Sequence, residues 1–133
     1  MSIAAYKRTM RDTETPRQIE RRLMSQVTGK LDRFAAEFDA AESGVQKLQI
    51  LSSGLRDALH ENVALWSALK YDLMTGGNSL PENLRSSLVS VAMWIERQTS
   101  SVVGGASGVA ALVAVNRSIV DGLSGQEPGP VAV

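Results

Sequence analysis

Residues 60–98, HENVALWSALKYDLMTGGNSLPENLRSSLVSVAMWIERQ, decide the fold, because two apolar-periodic segments face each other across one sharply punctuated turn. Before the turn, Leu59, Val63, Trp66, Leu69 and Leu73 recur at spacings of three and four, which places them on one face of a helix. Gly76 and Gly77 stop that helix, since glycine enters the left-handed region without steric penalty, and Asn78 tolerates the same region. Ser79-Leu80-Pro81-Glu82 then has the form of a capping box: Ser79 accepts from a backbone N–H three residues on, and Glu82 reaches back. Proline in a first turn loses nothing, because its missing N–H would have had no partner there. The second helix carries Leu84, Leu88, Val91, Ile95 and Val102 on one stripe, with Trp94 beside it. The stretch therefore reads as a helical hairpin whose two tryptophans, Trp66 and Trp94, lie on adjacent antiparallel helices and share one core.

Upstream, Thr15 is a good N-cap, Pro16 sits at the first helical position and Gln18 completes a second capping box. The helix it opens, about residues 16–41, carries Ile19, Leu23, Val27, Leu31, Phe34 and Phe38 on one face. Arg21, Arg22, Lys30, Asp32, Arg33, Glu37 and Asp39 mostly take the other. Gly29 costs about 1 kcal/mol relative to alanine inside a helix unless it permits close packing. Glu42-Ser43-Gly44 breaks the chain into a helix over about 44–75, whose face includes Leu48, Leu51, Leu55 and Leu59, and which Ser52-Ser53-Gly54 is placed to bend or split. The second hairpin helix, about 80–103, stops at Gly104-Gly105. Ser107 is then placed to cap a shorter helix, about 108–123, bearing Val109, Leu112, Val113, Asn116, Ile119, Val120 and Leu123, with Gly125 closing it.

Residues 1–13 read as an arm or short helix with Ile3, Tyr6 and Met10 on one side, and residues 125–133, with two prolines and no periodicity, as a disordered tail. No segment alternates with period two and no internal repeat is present. The expectation is one all-α domain over residues 14–124, an antiparallel up-and-down helical bundle with three longer helices and a shorter C-terminal one.

Composition narrows the function. The 133 residues are 44% apolar, enough for one core, and the formal charge is zero. That zero conceals a polarity: through Arg33 there are eight Lys/Arg against four Asp/Glu, and after it six against ten. There is no cysteine, which removes disulfides, thiolate metal sites and thiol catalysis together and fits a reducing compartment, the cytoplasm. Residues 1–12 lack the apolar core of a signal peptide, and no apolar run approaches the ~18 residues of a membrane-spanning helix.

Reactive constellations are equally sparse. His60 is the only histidine, and of its neighbours only Asp57 shares its helical face. No HExxH or repeated ExxH motif points to a metal, and the glycine pairs lack the strand and GK[ST] of a phosphate loop. The basic cluster Arg17, Arg21, Arg22, Lys30 and Arg33 has no interleaved aromatics, so RNA is not its favoured partner. Catalytic, cofactor and metal sites are thus expected to be absent. A binding role is left, in which Trp66 and Trp94 are either core residues or half-exposed anchors of a groove for an amphipathic helix, made adaptable by Met74 and Met93.

In order along the chain stand Glu14-Thr15-Pro16-Arg17 with Glu20 and Leu23, Val27-Thr28, Asn62 with Leu65-Trp66, Asp72-Leu73, Asn78 with Leu80-Pro81, Leu84-Arg85 and Leu88, Trp94-Ile95, and Asn116 with Ile119 and Gly122-Leu123. In this order and spacing the sequence closely resembles the FlaF family of alphaproteobacterial flagellar biosynthesis proteins, from about Tyr6 to Leu123. It departs from the family pattern at Gln98, where histidine is usual, which argues against a functional imidazole there. The resemblance implies a non-enzymatic protein required for flagellin to accumulate and be exported. It also implies flagellin, the repressor FlbT and the flagellar export apparatus as partners. A cytoplasmic flagellin-binding secretion chaperone is the first expectation; a post-transcriptional regulator acting through FlbT or flagellin mRNA is the alternative. For the first, Leu65, Trp66, Trp94 and Val102 are expected to line or support the groove, and Asn62, Asn78 and Arg85 to fix the hairpin or offer polar contacts.

Overall fold

The computed structural model describes residues 15–75 and 79–123. These form an all-α bundle of α1 (Pro16–Ala40), α2 (Gly44–Ile50), a π-helical turn (Leu51–Leu55), α3 (Arg56–Met74), α4 (Glu82–Val103) and α5 (Val109–Leu123). The residues 1–14, 76–78 and 124–133, on which the arm, the Gly76-Gly77 stop, Asn78, Gly125 and the tail fall, lie outside the described residues.

Helix α1 opens as its sequence predicts. Thr15 Oγ1 accepts from Gln18 N–H at 3.1 Å, and the Gln18 side chain accepts from Thr15 N–H at 2.9 Å, with Pro16 in the first turn. Ser43 likewise caps α2 through Gln46 N–H at 3.1 Å. The 44–75 segment is not continuous: Gly54, at φ 140°, breaks helical geometry and the wide turn around it redirects the chain into α3. A Cβ at Gly54 would approach Phe34 Cζ to 3.1 Å, so both the backbone angle and the space there suit glycine.

Two predicted caps are corrected. Helix α4 starts two residues later than expected, with Pro81 at its N-cap position in extended conformation and no side-chain cap, so the Ser79 capping box does not form. The cause is local: the residue before a proline is pushed out of the α region, so Leu80 cannot be helical, and Glu82 takes the first turn, where its charge suits the helix dipole. At α5, Ser107 is not the cap. The carboxylate of Asp39, at the far end of α1, accepts from Gly108 N–H and Val109 N–H through Oδ1 (2.8 and 3.0 Å) and from Ala110 N–H through Oδ2 (2.9 Å). Ser107 Oγ instead donates to the Asp39 carbonyl at 3.1 Å.

Cross-helix pairs fix the directions. Arg117 meets Asp32 at 3.0 Å while Ala110 meets Asp39, so α1 and α5 run antiparallel; α3 runs antiparallel to α1, since Phe34 lies beside Gly54, just before α3, while Lys30 meets Glu61 at 2.9 Å. Helix α1 packs most extensively on α5, and α3 on α4, whereas α4 and α5 touch sparingly. The core runs through Met24, Leu31, Phe38, Leu55, Leu59, Trp66, Ile95, Val102, Val109 and Leu112, all essentially inaccessible.

The buried face of α1 is Met24, Val27, Thr28, Leu31, Ala35 and Phe38, which leaves Leu23 largely exposed and Phe34 at the core margin. Leu48, expected on a core face, is also exposed, because α2 is only two turns long and turns just Ile50 inward. Gly29 has no neighbour within 4 Å of the place a Cβ would take, so close packing does not account for it.

Candidate functional site

The hairpin α3–α4 was expected to hold a groove, and a cleft of about 530 Å³ lies where α4 diverges from α5. Its floor is the edge of Trp66 with Leu69 and Leu73 of α3. Leu80, Leu84 and Leu88 form one wall, and Ser118, Ile119 and Gly122 of α5 the other. The rim on the α1 side carries Pro16, Arg17 and Glu20, with Asp72 of α3 beside them. The apolar stripe of α4 thus has two jobs: Ile95 and Val102 are fully buried, whereas Leu84, at 44% exposure, and the half-buried Leu88 face the cleft. A concave apolar surface with a few polar groups at its edge is the usual form of a site that takes another molecule.

Trp66 is held rather than mobile. It is 1% exposed, and its Nε1–H donates to Asn116 Oδ1 at 2.9 Å, while Asn116 Nδ2 donates to Asn62 Oδ1 at 2.8 Å. Both asparagines are fully buried, so this ladder ties α3 to α5 beneath the cleft with hydrogen bonds that water cannot replace. Asn62 Nδ2 keeps no partner among the described residues.

The other candidate residues are dispersed. Leu65 and Trp94 pack half-buried against the core, away from the cleft lining, and Val102 is fully buried near the opposite end, so its place is core rather than groove. Arg85 is half-buried one residue beyond Leu84, with its Nε unpartnered among the described residues. Asn78 lies outside the described residues. Met74 and Met93 are exposed but line no part of the cleft. Residues that single-stripe reasoning passed over, Ser118 and Gly122 among them, reach the cleft because α5 contributes its final turns there.

Charge at the rim is uneven. Burial, and then the neighbouring Asp72 carboxylate, push the Glu20 carboxyl above its ordinary range, with Arg17 pulling the other way. At the opposite end of the bundle, burial pushes the Asp39 carboxyl upward. The hydrogen bonds from Gly108, Ala110 and Val109, with the Lys47 charge, outweigh that and leave it below its ordinary range. Lys47 Nζ also donates to Gly105 O at 2.7 Å and stands 5.4 Å from the centre of the Phe38 ring. Gln98 belongs to this end too: its Nε2 donates to Gly108 O at 3.2 Å, a fastening of the α4–α5 turn.

His60 is exposed on α3, and among the described residues no group of His, Asp and Glu is placed to hold a metal ion. No helix among them is long and apolar enough to cross a membrane. A shallow basic depression runs along the outer face of α1, lined by Gln18, Arg21, Arg22, Gly29, Lys30 and Arg33 among others. No curated protein and no solved structure matches the chain. One family model does, that described as flagellar protein FlaF, and it matches residues 2–123.

Proposed function

Because the chain belongs to the FlaF family of flagellar proteins and so has a role in flagellar biosynthesis, we propose that it is a cytoplasmic, non-enzymatic secretion chaperone that binds flagellin. The observation that carries the reading is the apolar cleft between α4 and α5, floored by a Trp66 whose position is fixed by the Asn116–Asn62 ladder. Flagellin's terminal regions are amphipathic and unassembled before export, and an apolar groove shields such a segment by burying its leucine-type face, without any chemistry. A rigid floor lowers the ordering cost of binding.

The test is size-exclusion chromatography of the purified chain with purified flagellin. A stable complex is expected, lost in Leu84→Asp, whose site is exposed enough that the fold survives. Absence of co-elution with the wild-type chain rejects the reading.

A second reading, a post-transcriptional regulator acting through FlbT or flagellin mRNA, has one observation in its favour, the basic depression on α1. Contact with message there would weaken steeply as salt rises, through counterion release, and a flat salt response eliminates it.

A further inference from the structure

The chain enters the described structure at the mouth of the cleft: Pro16 and Arg17, the first two residues of α1, belong to its lining. Thr15 is extended, at φ −71° and ψ 157°, as the residue before a proline is bound to be, so the chain ahead of it does not continue α1. Fourteen residues, MSIAAYKRTMRDTE, precede Thr15, and in them Ile3, Tyr6 and Met10 stand three and four apart, the spacing of one helical face. A helix this short is marginal in water unless that face is covered. The cleft offers the complementary surface in Leu69, Leu73, Leu84, Leu88 and Ile119.

Reach permits the pairing. Met10 stands six residues before Pro16, up to about 20 Å of extended chain, and a helix from Ile3 to Met10 is about 10 Å long. The chain also leaves the cleft near Gly122, but residues 124–133, SGQEPGPVAV, hold two prolines and no helical period, so they suit an apolar cleft less well. We propose that the occupant of the cleft in the free protein is the chain's own N-terminal segment, residues 3–13, docked as a short amphipathic helix with Ile3, Tyr6 and Met10 turned toward the leucine walls. A short tether holds a segment at an effective concentration of about millimolar, so contacts too weak to join separate molecules suffice here. On the reading of the cleft as the flagellin site, the segment is a built-in competitor: flagellin must displace it, and its apparent affinity falls with the fraction of chains whose cleft is open.

The chain has no cysteine, so paired cysteine substitutions in the full chain report contact without background. Ile3→Cys, Tyr6→Cys or Met10→Cys is combined with Leu84→Cys in the cleft wall, or with Met93→Cys on the same helix. Leu84 and Met93 are exposed to 44% and 47%, and Met93 lines no part of the cleft, so the two differ in place rather than accessibility. In dilute protein under a glutathione buffer, at least one Leu84 pair is expected to close as a monomer about tenfold faster than its Met93 counterpart, read on non-reducing gels. The full-length Ile3→Ser/Tyr6→Ser/Met10→Ser variant, checked by circular dichroism, is expected to bind an apolar fluorescent dye several-fold more than wild type, a gain that Leu88→Asp removes.

Equal closure of the Leu84 and Met93 pairs, dye binding unchanged by the triple variant, or a gain indifferent to Leu88→Asp each overturns the proposal. So does cross-linking between chains rather than within one, which makes a second copy the occupant. Flagellin co-elution is scored separately. Monomeric cross-linking without a flagellin complex removes the flagellin reading alone, and a flagellin complex in a chain whose Leu84 pairs fail to close removes the N-terminal occupant alone.

Discussion

Replacing Asp39 by alanine removes the cap of a helix it does not belong to. The carboxylate satisfies three N–H groups at the start of α5, those of Gly108, Val109 and Ala110, at 2.8 to 3.0 Å. Loss of an N-cap costs about 0.5–2 kcal/mol, and a negative charge at a helix N-terminus contributes a further ~0.3–1 kcal/mol. The site is partly open to solvent, which holds the total near the middle of that range, about 2 kcal/mol for Asp39→Ala, or a fall of about 6–10 °C in Tm for a domain of this size. Asp39→Asn keeps an acceptor oxygen and loses the charge, so it is expected to cost about half as much.

The dependence on pH separates this account from loss of packing. The folded state holds the Asp39 carboxyl below its ordinary value, so its stabilisation is complete above the ordinary aspartate pKa of about 4 and is lost as pH falls through the lower folded value. The gap between wild type and Asp39→Ala, measured by urea unfolding, is therefore widest near neutrality and narrows in acid. A gap below about 0.5 kcal/mol at neutral pH, or one that stays constant into acid, refutes the reasoning.

Three further substitutions follow from the same structure. Gly108 sits at φ 137° with a hypothetical Cβ 1.9 Å from Gln98 Nε2, so Gly108→Ala is expected to cost about 2–3 kcal/mol in urea unfolding and to break the Gln98 hydrogen bond. Gly29→Ala is expected to raise stability by about 1 kcal/mol, since the helix is regular there and no atom stands within 4 Å of the new methyl; a lower Tm counts against it. Trp66→Phe leaves the buried Asn116 Oδ1 without its donor and is expected to cost about 2–4 kcal/mol, read by thermal unfolding, because an orphaned buried acceptor adds to the lost ring volume.

The helices were legible because their signals are local. Thr15-Pro16-Gln18 and Ser43 act on residues three positions away, and the Leu59–Leu73 stripe needs only the helical period. The Ser79 box failed for a local reason, the proline two residues on, but the other misreadings needed partners distant in sequence. Ser107 looked like the α5 cap because nothing nearby competes, yet the acceptor arrives from Asp39, 69 to 71 positions earlier. Leu84, Leu88 and Val102 share one stripe, and only the divergence of α4 from α5 sends the first two to a cleft and the third into the core. Trp66 posed a choice between core and groove that the fold dissolves: its indole is buried and hydrogen-bonded, and its edge is still the cleft floor.

That division along α4 and α5 explains how a bundle of this size keeps an apolar cleft open. At the turn end, Asp39, Lys47 and Gln98 bind the backbone from Gly105 to Ala110, and Val102, Val109 and Leu112 seal the space between the helices. At the other end the two helices part, and Leu84, Leu88 and Ile119 line the cleft between them. Separation of this kind exposes apolar area at about 25 cal/mol per Å², a cost that the capped turn and the Trp66–Asn116–Asn62 ladder offset without closing the gap. It follows that loosening the turn and filling the cleft act on one pair of helices from opposite ends. Weakening the cap through Asp39 frees α5 to shift on α4, so it should reduce partner affinity as well as stability, although Asp39 touches nothing in the cleft.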